Sequence, residues 1–206
     1  MKLQVGHVER FNKALSSAQE KLKKPLFIEC HRLAPFKPRG VDVDVVLDLM
    51  IHDLDVILSL VDSEIESVSA VGTPVLTEMV DIANARLEFK SGTVANVTAS
   101  RVSQTATRKF RVFQSSQYLS IDFGSGELNL TSKTGDWVFR GEELDEENLP
   151  LEFEAWNLEK GDALLDETQS FARSILENTD CKVSGEDGLK ALKLAEAIRN
   201  DIQRRL

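Results

Sequence analysis

A chain of 206 residues with 42% hydrophobic and 29% charged side chains can bury a sizeable core and has the composition of one large globular domain, or of one and a fraction. Its formal net charge of −9 argues against nucleic acid or an anionic membrane surface as a partner. No apolar run reaches the roughly 18 residues of a membrane span, and the start, MKLQVGHVERFN, has no signal-peptide core, which points to the cytosol and to free thiols at Cys30 and Cys181.

Lys2–Val5 reads as a short strand. Asn12 is placed to cap a helix from Lys13 to about Lys23, with Leu15, Ala18 and Leu22 on one face and Pro25 ending it. Leu26–Leu33 alternates like a strand, with Phe27, Glu29 and His31 on one face and Ile28, Cys30 and Arg32 on the other. Ala34–Gly40, rich in proline and cations, is a loop that leads into the most unusual stretch of the chain.

That stretch, Asp42–Asp62, reads as a helix that is apolar on nearly every side, and such helices are usually buried. Asp44, Asp48, His52 and Asp55 follow at steps of four, four and three, so they share one face. A carboxylate and an imidazole one turn apart on a buried helix are costly to desolvate. Such a pair suits a pocket wall, with His52 moving a proton near neutral pH. It equally suits a core histidine bonded to Asp48. A third reading makes the pair two metal ligands, with His31 or Asp55 as the third. Cys30 makes a poor nucleophile, because His31, its only neighbouring base in sequence, points to the opposite face of the strand.

Beyond Asp62 the period changes to two. Strands are expected at Ile65–Val75, Asp81–Lys90, Val94–Arg101, Lys109–Gln114, Tyr118–Asp122, Glu127–Thr131, Trp137–Arg140 and Leu151–Trp156. Ser91-Gly92-Thr93, Ser115-Ser116-Gln117 and Gly124-Ser125-Gly126 are tight connections that imply antiparallel hairpins. The acidic run Glu142–Glu147 reads as a solvated loop, and Arg101, Arg108, Lys109 and Arg111 read by default as a solvated edge. Two helices close the chain, Asp162–Asn178 and Gly185–Arg205. The second is introduced by a capping box at Ser184 and turns Leu189, Leu192, Leu194, Ala195 and Ile198 inward. The resulting fold class is α+β, a largely antiparallel open sheet with helices packed on one face. No G-x-G-x-x-G and no phosphate-binding G-x-x-x-x-G-K-[ST] occurs.

Four segments, LQVGHVERFN, HRLAPF..RG.DVDVVLDLMIHDLD, VANVTASR and VSGEDGLKAL, together resemble the C-terminal part of the Gfo/Idh/MocA oxidoreductases over essentially the whole chain. The resemblance implies an α+β substrate and oligomerisation domain that works beside an N-terminal Rossmann domain carrying NAD(P). It implies His52 as general acid/base and Asp48 as the group that orients the substrate hydroxyl or the imidazole. It also implies that the glycine fingerprint and the Glu-Lys-Pro motif lie outside these residues, since Lys24-Pro25 follows the VGHVERFN segment instead of preceding it. Residues 1–24 are then the last strand and helix of the cofactor domain, and residues 25–206 the second domain.

No cofactor is expected on this chain alone, which is expected to be inactive. The form of the HRLAPF segment is similar to that of members acting on nucleotide-activated amino sugars, which makes Arg32, Lys37 and Arg39 candidate contacts for phosphate or carboxylate. The uncovered sheet face implies a homodimer or homotetramer. The alternative is a stand-alone oligomerisation or ligand-binding module without catalysis.

Overall fold

The computed structural model describes residues 1–136, 138, 140, 141, 149–158 and 161–206. At its centre is β1 (Pro25–Leu33), whose alternation buries Ile28, Cys30 and Arg32 and leaves Phe27, Glu29 and His31 on the opposite face. Seven further strands complete one sheet: β2 (Ile65–Thr73), β3 (Ile82–Phe89), β4 (Val94–Ser100), β5 (Thr107–Gln114), β6 (Gln117–Asp122), β7 (Glu127–Lys133) and β8 (Leu151–Asn157). The spatial order is β2-β3-β4-β1-β5-β6-β7-β8. Every neighbouring pair is antiparallel except β1 with β4, which run parallel with Phe27 opposite Val94 and Leu33 opposite Ser100.

The expected hairpin turns are present. Gly92 and Gly126 take φ of +85° and +82°, a left-handed backbone in which a side chain is strained. A Cβ at Gly126 would in addition stand 2.7 Å from the Leu158 carbonyl oxygen.

Helices cover one face only. Among them, α1 (Lys13–Gln19) lies on β6 and β7, α2 (Ile51–Leu60) on β1 and β4, and α4 (Gly185–Gln203) on β2 and against α2. The remaining helix, α3 (Ala163–Leu176), packs on a short 3-10 turn, Val8–Phe11. The core between helices and sheet holds Ile28, Leu54, Ile57, Leu87, Phe89, Phe110, Leu119 and Ile198, all fully or almost fully buried. Caps fix two helix starts as expected. The Asn12 side chain accepts from the Ala14 N–H, and Ser184 and Asp187 form a reciprocal capping box.

Several expectations shift. Lys2–Val5 is no strand. It makes one bridge, Gln4 to Ser184, beside α4. The first helix ends at Gln19, short of Lys23. The helix expected from Asp42 begins instead with one wide π turn at Val46–Met50, followed by α2. Leu189 and Leu192 are 48% and 42% exposed, because α4 turns Ala191, Leu194, Ala195, Ile198 and Ile202 to the core instead. Trp137 and Phe139 of the expected strand 137–140, and the acidic run 142–147, lie outside the described residues. Among the described residues no helix is long and apolar enough to cross a membrane.

Candidate active site

The centre of the sheet delivers the chain to the site. From Leu33, at the end of β1, a loop of residues 34–45 runs over the sheet edge and into the π turn. Asp44 ends that loop. Its Oδ1 accepts from the Val46 and Leu47 N–H groups at 3.1 Å each, and its Oδ2 accepts from Arg199 of α4 at 2.5 Å. Asp44 is therefore a buried cap, and the face expected to carry four polar groups divides. Asp44 and Asp55 are buried against Arg199 and Arg10, Asp48 is exposed, and His52 is half-buried. The π turn sets this division, since one extra residue per turn advances the faces.

A second cation clamps the loop. Arg101 was read as part of a solvated edge, yet it is 5% exposed. It donates to the Gly40 carbonyl at 2.9 Å and to the Val43 carbonyl, and lies 3.5 Å from Asp81. Asp81 in turn accepts from the Val75, Leu76 and Thr77 N–H groups at 2.7–2.8 Å and from the Thr77 hydroxyl. Burial alone would raise its pKa toward neutral. The four hydrogen bonds outweigh burial and hold it at about 2. One ionised carboxylate and one guanidinium thus tie the loop after β1 to the loop before β3.

Between these supports lies a cavity of about 330 Å³ whose polar lining includes Lys37, Arg39, Gly40, Asp48, Arg101 and Arg108. The structure therefore brings together three of the residues singled out in the sequence, Lys37, Arg39 and Asp48. It adds Arg101 and Arg108, which sit far along the chain. Arg32 does not join them. Its side chain is 6% exposed on the helix-covered side of β1, where it donates to both oxygens of Asp53 at 2.8 Å each and to Glu9 at 3.1 Å. These donors are engaged inside the protein, so Arg32 fastens the first segment, the central strand and α2 to one another.

His52 stands one turn beyond Asp48, above this Arg32–Asp53–Glu9 cluster, and does not itself line the cavity. Burial first, and the Arg32 charge second, lower its pKa below the ordinary 6.5. The ring is therefore neutral at pH 7 and able to accept a proton. Its Nδ1 is buried without a partner among the described residues, so the reading of a core histidine bonded through that atom to Asp48 finds no support. Its ring meets His7 at a centroid distance of 5.8 Å. Cys30 is fully buried, and burial raises its thiol pKa well above the ordinary value, which leaves it inert. Among the described residues no three His, Cys, Asp or Glu side chains are grouped to hold a metal. Glu9, Asp53 and His7 were not singled out by sequence reasoning. Asp53 adjoins His52, and His7 and Glu9 lie in the quoted VGHVERFN segment, but nothing in one sequence shows that these stretches meet.

Comparison with known proteins bears on the fold and the domain. Residues 25–120 match the sequence model of the GFO/IDH/MocA C-terminal domain. UDP-N-acetylglucosamine 3-dehydrogenase from Acidithiobacillus ferrooxidans is 36% identical over 199 residues, which is 96% of this chain and 61% of that protein. Its crystal form P21 superposes with a TM-score of 0.88 at 35% identity, covering 99% of this chain and 63% of the other. Scyllo-inositol dehydrogenase from Lactobacillus casei, at 21% identity, shares the fold with a TM-score of 0.72 over 100% of this chain and 64% of its own. The chain thus spans under two thirds of the length of these relatives. Residues 25–120 thus carry a match to the GFO/IDH/MocA C-terminal domain, and the chain shares its fold with these relatives.

Proposed function

We propose that this chain is the substrate-binding and proton-moving half of a nicotinamide-dependent dehydrogenase of nucleotide-activated sugars. One observation carries the reading. A cavity lined by Lys37, Arg39, Arg101 and Arg108 on a chain of net charge −9 lies one helical turn from a neutral, half-buried imidazole. Concentrated cations in an acidic protein suit a diphosphate, and arginine forks suit its paired oxygens. The relative acting on UDP-N-acetylglucosamine supports the same substrate class. In this reading Lys37 and Arg39 meet the phosphates. Asp48, exposed on the cavity wall, orients a sugar hydroxyl, and neutral His52 takes that hydroxyl's proton as the carbinol is oxidised.

The residues described do not form a dinucleotide cradle. The helix end that follows β1 is closed by Asp44, a carboxylate where a pyrophosphate would need N–H donors, and no glycine fingerprint occurs in the sequence. NAD(P) would therefore be held outside these 206 residues, by a domain to which residues 1–24 would belong. Exposed apolar side chains at Leu3, Leu164, Leu165, Leu176 and Leu189 support a further covering body on the side of α3 and the start of α4. In the assembled enzyme Arg39→Ala is expected to raise KM for a UDP-sugar about tenfold while changing kcat by less than about threefold, the pattern of lost ground-state binding. Steady-state kinetics check this, and an unchanged KM removes Arg39 from the site.

The open face of the sheet supports self-association. Phe27, Phe113 and Tyr118 form a row at centroid distances of 5.6 and 4.8 Å. Strand pairing extends the row through Thr131 to Phe153, which is 72% exposed. Such a row on an uncovered sheet supports the reading of an interface between copies. The chain is expected to sediment as a dimer or tetramer. Phe153→Glu is expected to weaken association about 30-fold in sedimentation equilibrium, the scale of one lost aromatic anchor. A strictly monomeric parent chain would refute the assignment.

A further inference from the structure

His7 is the one buried imidazole to which the proposed reaction assigns no task. It is 5% exposed and sits just before the 3-10 turn, yet it meets the His52 ring edge-on, at 5.8 Å between centroids and 83° between planes. The Nδ1 atoms of both rings are buried and without a partner among the described residues. Buried polar atoms in folded proteins nearly always have partners, so two orphaned nitrogens on adjoining rings are an exception that asks for a cause. Two imidazoles this close cannot both carry a charge without strong repulsion, and their titrations belong to the pair.

We propose that His7 is a positioning residue acting through His52, the two imidazoles holding one proton between them. The inference rests on the reading of His52 as the proton-moving group. When His52 gains a proton from substrate, the neutral His7 ring offers it an adjoining polarisable partner and fixes its plane. A second proton on the pair is opposed, so the first remains free to leave.

The charges around the pair agree. His7 faces Arg10 on its own segment, itself paired with Asp55 of α2, together with His52 on α2 and Asp187 in the first turn of α4; Glu167 of α3 comes within 3.8 Å of the Cβ position at the adjoining Gly6. His52 faces Arg32 from β1, Glu9 from the first segment, and Asp48 and Asp53 on its own helix. Burial, then the His52 charge, then Arg10 push His7 down to about 4, while Asp187 opposes them. With burial also lowering His52, the first proton goes to His52 and the second is resisted at His7.

The test is an NMR titration of the 206-residue chain from pH 8 to pH 3.5, following the Hε1 resonances of both rings. Each ring is expected to move in two steps with shared midpoints. In His52→Gln, the His7 midpoint is expected to rise from about 4 by about half a pH unit or more. His7→Asn is expected to reduce the His52 curve to a single step. Single, independent steps in the parent chain, or a His7 midpoint unmoved by His52→Gln, overturn the proposal. If either variant fails to fold, as judged by amide dispersion, the two-step pattern of the parent chain decides alone. Failure of the catalytic reading is distinguished by turnover of the assembled enzyme, which this titration does not involve. Coupled rings in an enzyme indifferent to His52 leave the coupling standing but no catalytic proton for His7 to serve.

Discussion

Replacing His52 by Ala in the enzyme assembled from this chain and its cofactor domain is expected to lower kcat by about 10²–10⁴, the contribution of a positioned acid/base group. KM for the sugar nucleotide is expected to hold within a few-fold, because His52 is not among the residues that line the cavity, whereas Lys37 and Arg39 are. The two effects separate proton movement from binding. A His52→Ala enzyme with parental turnover would sink the central reading, whatever became of KM. The ring is suited to its task by what surrounds it. Burial and the Arg32 guanidinium keep it uncharged at neutral pH, so the base form dominates where the enzyme would work.

The second large effect concerns stability. Asp53→Ala is expected to destabilise the fold by about 3–5 kcal/mol, read as a lower urea midpoint with little change in slope. Arg32 is buried with its Nε and Nη2 on Asp53 and its Nη1 on Glu9. Removing Asp53 leaves a guanidinium out of water with half its compensation. Arg32→Lys is expected to fail as a conservative replacement, since an ammonium cannot fork onto Asp53 and reach Glu9 together. A loss under 1 kcal/mol for Asp53→Ala would mean that the cluster holds little, and would return Arg32 to consideration as a substrate contact.

How much of this was legible follows from which interactions are local. Alternation in β1 separated Phe27, Glu29 and His31 from Ile28, Cys30 and Arg32, because period two is a property of a single strand. The Asn12 cap and the Ser184 box were legible for the same reason, being contacts within four residues. The Asp48–His52 spacing was legible as one helical turn, whereas the π turn that divides the expected polar face was not. The parallel pairing of β1 with β4 was not, since no turn joins them. Arg101 was misread because its partners, Gly40, Val43 and Asp81, come from two other loops. Leu189 and Leu192 were misread because a leucine at helical spacing is compatible with more than one inward face, and α4 settled on the one lined by alanine at 191 and 195. The site thus divides into a motif the sequence displays and a support that only the fold assembles.

The central place of β1 bears on how the chain reaches this structure. Phe27 pairs with Val94 on one side and with Phe113 on the other, so the earliest strand must wait for two later ones. The β3–β4 and β5–β6 hairpins close locally, whereas β1 enters between them only after long loops have been ordered. Loop closure of that kind slows the search more than it weakens the product. Folding is therefore expected on a millisecond-to-second scale. The slow step expected from this topology is the insertion of β1, the same event that carries Arg32 beneath α2, and stopped-flow refolding would measure it.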